Sequence, residues 1–325
     1  MNKVKLALPK GHLSDETLRI FTEAGYSISG SGRTYCPRIN DEHITLRILR
    51  PQEIPLYVQE GLIDIGITGK DWIRETNAEV DILIDLEYSK VRLVLAVPKE
   101  WSDVNSLSDL LEKRIGEGRN VKISTEYLNI AEAFIKEMPA YVEAFATMRP
   151  SMITPWWSRR ENERVRIILS FGATEAKPLV DADAILEVVD TGTSLDQNGL
   201  KVIEVVMDSS AVLIANKSVS STLCKAEKTA DIVTLLRGVV EARKKLHIFV
   251  NVREDDLEDL LGTLPALKTP TISKLAGEGW CAINTVIDRE EFLSIMPTMR
   301  RLAQGLVVYE PRQILPLESV QSGGE

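Results

Sequence analysis

The chain has 325 residues, 44% of them hydrophobic, with 39 basic against 48 acidic side chains and a formal net charge of −9. That length exceeds one ordinary domain of about 100–200 residues, and the apolar share is enough to fill more than one core. The acidic balance argues against a general nucleic-acid binder, so an anionic ligand needs a local pocket of cations or backbone amides.

Val4, Leu6 and Leu8 form a short apolar strand that ends at Pro9-Lys10-Gly11, before a helical pattern over Asp15–Ala24. Ile44–Leu49 (strand), Pro51–Glu60 (helix) and Leu62–Ile67 (buried strand) form a second α/β unit, followed at once by Gly69, Lys70 and Asp71. Val91–Val97 is a further apolar run, and the polar stretch after Pro98 marks a first domain crossing. Strands are expected at Val121–Thr125, Val165–Phe171, Ala182–Val189 and Ser210–Ala215, with a helix around Asn129–Glu137. A boundary near Lys217–Lys225 follows. Beyond it, helix (230–244), strand (246–252), helix (254–264), loop, strand (280–287), helix (290–303) and strand (306–309) read as a ferredoxin-like α+β sandwich.

Cys36, Cys224 and Cys281 match no zinc or CxxC spacing and leave one unpaired in any disulfide scheme, which fits a reducing compartment. No apolar run approaches ~18 residues, and Pro9-Lys10 comes too early for a signal-peptide core. The expectation is a soluble, cytoplasmic protein with no membrane or nucleic-acid partner.

The most informative stretch is Asp181–Leu200, DADAILEVVDTGTSLDQNGL, where an apolar strand carries Glu187 and Asp190 into a small-residue turn. Backbone amides from Thr191, Gly192, Thr193, Ser194 and Leu195 can cradle a terminal phosphate, and the two acids can hold ribose hydroxyls or a Mg2+ ion. Read alone, Thr-Gly-Thr-Ser is equally a polar turn.

Five segments in order resemble the ATP phosphoribosyltransferase family in its long form with a C-terminal regulatory domain: ALPKGHL (7–13), RPQEIPLYVQEGLIDIGITGKDW (50–72), SFGATEAKP (170–178), the Asp181–Leu200 stretch, and PALKTPTISKLAGEGW (265–280). The resemblance implies a two-lobed, periplasmic-binding-protein-like α/β catalytic core plus a ferredoxin-like regulatory domain. The expected division is 1–97 with 188–217, then 98–187, then 225–313. It also implies that ATP and phosphoribosyl pyrophosphate condense with Mg2+ to N1-(5-phosphoribosyl)-ATP, opening histidine biosynthesis. L-histidine is the implied feedback inhibitor and a hexamer with dimeric forms the implied assembly.

The residues expected to act are Lys10, Glu187 and Asp190, the two acids also as metal ligands. Gly11, Arg50, Gly69, Asp71, Ser124, Thr125 and Glu175 are expected at the substrates together with the phosphate turn. Lys10 and Gly11 stand at a strand-to-helix turn suited to a polyphosphate, and Gly69 and Asp71 at a strand's carboxyl end. Simpler readings stand beside these: a solvated Lys10, a surface Arg50, a helix-capping Asp71, a hinge Glu175. Asn251, Leu267, Thr269 and Thr271 match the family's histidine site, although Thr269-Pro270-Thr271 also reads as a rigid connector. His12 stands where the family usually has arginine, Phe171 replaces a common tryptophan, and the Trp156-Trp157 segment with its arginines reads as a subunit contact or surface loop. The rival functions are another phosphoribosyltransferase and a two-lobed binding protein.

Overall fold

A computed structural model describes residues 3–30, 32, 34–264 and 270–315. They divide into two compact units, the described residues of 1–4, 15–45 and 222–325 forming one and those of 5–14 and 46–221 the other.

The larger unit carries two sheets. The first has the strand order Ile44–Leu49, Val4–Pro9, Ile65–Gly69, Ala211–Ala215, Asp81–Asp85. Val4–Pro9 and Ile65–Gly69 run parallel, whereas Ala211–Ala215 returns antiparallel to both of its neighbours. The chain order reverses beside Val4–Pro9, so the carboxyl ends of that strand and of Ile65–Gly69 flank a switch point, the ordinary place for a ligand in an open α/β sheet. Ile65–Gly69 is buried at every position. That burial explains its uninterrupted apolar reading.

The second sheet has seven strands, in the order Ser158–Arg159, Pro150–Ile153, Asn162–Leu169, Val121–Thr125, Ala184–Val189, Val91–Pro98, Leu200–Ser209. Val121–Thr125 pairs in parallel with Asn162–Leu169 and with Ala184–Val189, so three carboxyl ends open side by side. The Val91–Pro98 strand, expected to close the first domain, belongs to this sheet instead. It lies antiparallel between Ala184–Val189 and Leu200–Ser209, with Leu93, Leu95 and Val97 in the core. By sheet membership the crossings therefore fall just before Val91 and near Ser210, not at Val97 and Val188.

In the smaller unit the long helix Leu223–Arg243 precedes a four-stranded sheet ordered Thr271–Lys274, Trp280–Asp288, Lys245–Arg253, Ala303–Tyr309. Numbered within this domain, the order is 2-3-1-4, and with helices Leu257–Thr263 and Phe292–Leu302 it is the expected ferredoxin-like arrangement. One face packs Ile248, Val250, Ile283, Ile295 and Met299 into a core. Lys228 pairs with Asp41 at 3.1 Å, and Arg243 with Glu16 and Glu23 at 2.8 Å each, fastening the long helix to the 15–45 segment. Among the described residues no helix is long and apolar enough to cross a membrane.

Candidate active site

The strands deliver their ends to one hollow of about 380 Å³ in the larger unit, lined by Lys10, Gly11, Arg50, Gln52, Trp72, Glu126, Tyr127, Gly172, Glu175 and Glu187 among others. Lys10 N–H donates to the Leu49 carbonyl at 2.8 Å, which sets Lys10 beside Arg50 at the ends of adjacent strands. Five expected residues therefore meet here: Lys10, Gly11, Arg50, Glu175 and Glu187.

The carboxylates of the hollow influence one another. Burial pushes the Glu187 carboxyl above its ordinary range, opposed by bonds from the Val188 amide and Thr174 hydroxyl and reinforced by Glu126 and Glu175. Glu126 is raised by burial as well, against a bond from the Gly172 amide. Such displaced carboxyls in a cleft are a mark of functional sites.

The Thr191–Leu195 turn meets the hollow through the Ser194 hydroxyl, which donates to Glu175 Oε1 at 2.7 Å. Gly192 has φ +81°, a left-handed conformation that an L side chain resists, and it starts the single helical turn Thr193–Gln197. The Thr191 and Thr193 hydroxyls lie 2.9 Å apart, both residues being exposed. Leu195 is buried against Val94, Ile185 and Val189, so its side chain anchors the turn and leaves any ligand to its amide.

Other expected residues lie elsewhere. Asp190 lines a separate hollow with Lys70, Asp85, Lys90, Arg92 and Asp208. Glu187 lies within the strand Ala184–Val189 while Asp190 stands just past its end in a bend, and the two line different hollows, so they do not form the expected pair. Nor do the described residues offer any group of three or more His, Cys, Asp or Glu side chains placed to hold a metal. Magnesium commonly takes only one or two carboxylates together with substrate phosphates, and a carboxylate such as Glu187 would suit that role.

Ser124 and Thr125 are buried in their strand, and the Thr125 hydroxyl accepts the Tyr127 amide at 2.9 Å; they shape the turn and do not line the hollow. Asp71 is buried as well. Its Oδ2 accepts from the Tyr127 hydroxyl at 2.8 Å and its Oδ1 from Ser209 at 2.6 Å, while Gly69, not Asp71, caps the helix. A Cβ on Gly69 would lie 2.0 Å from Asp71 Oδ1, so that glycine is required by the carboxylate next to it. In the C-terminal sheet, Asn251 and Thr271 fall on the same face, opposite the core: Asn251 pairs with Ala282, and Thr271 with Asn284 two positions along. Leu267 and Thr269 lie outside the described residues.

Gln52, Trp72 and Glu126 also line the hollow, and sequence reasoning gave them no role. The Gln52 side-chain oxygen is buried and meets no hydrogen-bond partner among the described residues.

Two α/β sheets whose strand ends surround a hollow of cations and carboxyls raised by burial, with a glycine-started turn bonded to its edge, define an α/β protein with a candidate small-ligand site at the strand ends. Comparison with known proteins makes the class particular. The family described as ATP phosphoribosyltransferase matches residues 50–238, and its C-terminal domain matches 242–312. The ATP phosphoribosyltransferase of Prosthecochloris aestuarii is 36% identical over 318 residues, covering 96% of this chain and 97% of that protein. That of Chlorobaculum parvum is 37% identical over 320 residues, covering 97% and 98%. The chain belongs to the ATP phosphoribosyltransferase family, a pentosyltransferase family, in its long form. A solved ATP phosphoribosyl transferase (HisG:HisZ) complex from Thermotoga maritima shares the fold, with TM-score 0.55 and 22% identity, over 73% of this chain and 98% of that one.

Proposed function

We propose that this chain condenses ATP with 5-phosphoribosyl 1-pyrophosphate, releasing pyrophosphate and forming N1-(5-phosphoribosyl)-ATP, the first step of histidine biosynthesis in the cytoplasm. The observation that carries this reading is the meeting of Lys10, Gly11, Arg50, Glu175 and Glu187, from four separate stretches of sequence, on one hollow in a chain of this family.

Adenine N1 attacks the anomeric carbon, the bond to the pyrophosphate oxygen breaks, and configuration at that carbon inverts. N1 carries no proton at neutral pH, so the reaction requires no general base. Catalysis then rests on alignment and on charge: Lys10 and Arg50 face the leaving pyrophosphate, the amides and hydroxyls of Thr191–Ser194 take the 5-phosphate, and Glu187 holds a ribose hydroxyl. Magnesium travels with the substrate phosphates, as this cation commonly does. No step is assigned to an ion held by the protein, and Asp190 drops from the reacting set.

The C-terminal domain is the regulatory part in this reading. L-histidine binds its open sheet face, where Asn251 and Thr271 present polar side chains, in a hexamer that exchanges with dimers. The deciding experiment mixes Mg2+, ATP and phosphoribosyl pyrophosphate and follows pyrophosphate release and product absorbance, with and without L-histidine. Release suppressed by histidine is the expected result. Release without suppression overturns the regulatory ligand, and no release from folded protein overturns the reaction.

A further inference from the structure

We propose that Trp156 and Phe171 form the platform on which the adenine of ATP lies, an aromatic rim set beside the hollow by a hairpin at the edge of the seven-stranded sheet. The inference rests on the function proposed above and adds to it the place of the base.

Both side chains are open. Trp156 is 67% and Phe171 68% exposed, and their rings meet with centroids 5.6 Å apart at 47°. The hollow itself presents chiefly charged and polar groups, while its two large rings, Trp72 and Tyr127, are buried and stacked on each other.

The sheet brings the open pair to the sugar side of the hollow. Pro150–Ile153, Asn162–Leu169, Val121–Thr125 and Ala184–Val189 lie side by side and run parallel, with Ile153 level with Ile168, Leu169 with Thr125, and Thr125 with Leu186. Just past these paired positions, the carboxyl ends set out Trp156, Phe171, Glu126 and Glu187 in one row. Phe171 is followed at once by Gly172 and Ala173, which line the hollow. The Phe171 strand lies two strand spacings, about 10 Å, from the Glu187 strand, the scale of a ribose with a purine at its anomeric carbon. A ribose held by Glu187 therefore directs its new base toward the two rings.

The hairpin that carries Trp156 is braced. Ser158 pairs with Ile153 and Arg159 with Met152 across the turn, where the Thr154 hydroxyl donates to the Trp157 carbonyl at 2.8 Å and accepts the Trp157 amide at 3.0 Å. Arg159 and Arg149 both pair with Glu132 on helix Leu128–Glu137, at 2.8 and 2.7 Å. An exposed ring on a turn fixed in this way is preorganised for a ligand. The chemistry also favours a hold by the faces of the base. Adenine N1 lies on the ring edge and must stay open toward the anomeric carbon, whereas stacking grips the faces and needs no base-specific hydrogen bonds. Of the two substrates, only ATP carries a flat aromatic group.

Three variants test the platform: Trp156→Ala, Phe171→Ala and Trp156→Phe, the last keeping a ring. Each is assayed with either substrate varied, and light scattering gives its mass in solution. Each alanine variant should raise KM for ATP roughly tenfold and leave KM for phosphoribosyl pyrophosphate within about twofold, while Trp156→Phe raises KM for ATP no more than about threefold. An unchanged KM for ATP in either alanine variant, an equal rise in both KM values, or a Trp156→Phe variant as impaired as Trp156→Ala overturns the proposal. A lower mass in either alanine variant overturns it as well, assigning the pair to a subunit contact. Both side chains are exposed, so the fold should survive; if Trp156→Ala does not fold, Phe171→Ala decides by the same comparison. Should the unaltered chain release no pyrophosphate, the proposed reaction fails separately, and ATP affinity by titration calorimetry, with phosphoribosyl pyrophosphate present, replaces KM. Affinity weakened roughly tenfold in the alanine variants then supports the platform, and unchanged or absent ATP binding overturns it.

Discussion

Replacing Glu75 with glutamine should abolish a pH dependence of stability that this residue imposes. The carboxyl is 8% exposed, and its pKa is pushed up from 4.5 to about 7, chiefly by burial and also by Asp71, against the downward pull of the amides of Asn129, Ile130 and Leu128. Because the folded pKa lies above the unfolded one, the fold binds the proton more tightly than the unfolded chain does. The associated stability is fully present below the unfolded value and is lost as pH rises through about 7. A displacement of roughly 2.5 units at ~1.36 kcal/mol per unit gives about 3 kcal/mol lost between acid and mildly alkaline solution.

Glutamine keeps the shape and one acceptor but cannot titrate. Urea unfolding of wild type and Glu75→Gln, measured from pH 5 to 8.5, isolates the residue, since other titrating groups cancel in the difference. The difference should shift by about 2–3 kcal/mol in favour of the glutamine protein as pH rises. A difference that stays flat would mean that the amides hold Glu75 ionised throughout, and the assignment of a neutral acid at the helix start would be wrong.

Two further outcomes follow from the hollow. Gly192→Val should lower kcat/KM at least ~100-fold and cost about 1–2 kcal/mol of stability through its left-handed φ; wild-type kinetics would remove the turn from the site. Gln52→Met removes a buried acceptor that has no partner, so ligand-free protein should gain about 1 kcal/mol in thermal or urea unfolding while KM for one substrate rises roughly tenfold; a less stable variant with unchanged KM would contradict both.

Much of this architecture was legible because burial and period coincide. Ile65–Gly69 and Val121–Thr125 read as strands from their apolar runs, and Lys10 and Gly11 stood out at a strand-to-helix turn, whereas Arg50 came from the family resemblance. Leu200–Ser209 was missed for a physical reason: two register irregularities, at Val202/Glu204 and Val205/Met207, break the alternation a reader looks for. Thr271–Lys274 is exposed throughout and has no apolar face to read. Glu187 and Asp190 looked like a pair because they are close in sequence, but the strand ends between them at Val189 and the bend that follows takes Asp190 to another hollow. Trp72 gave no signal of its own, since its place at the hollow depends on how its helix packs against the other sheet.

The acidity of the hollow bears on how an anionic ligand enters it. Glu126, Glu175 and Glu187 together would repel a triphosphate if all were ionised, and Lys10 and Arg50 supply only two cations against them. Burial raises Glu126 and Glu187, and repulsion from Glu126 and Glu175 adds to the rise at Glu187, so the fold shifts both toward their neutral forms. A protonated carboxyl can donate to a phosphate or ribose oxygen, whereas an ionised one can only accept from a hydroxyl. The same side chains are therefore suited to a sugar phosphate in either protonation state, the hydroxyl-rich ribose meeting the carboxyls while the phosphates face lysine, arginine and the glycine turn. An acidic chain can in this way build a polyphosphate site without a basic surface, as long as its carboxylates are buried and turned toward the sugar.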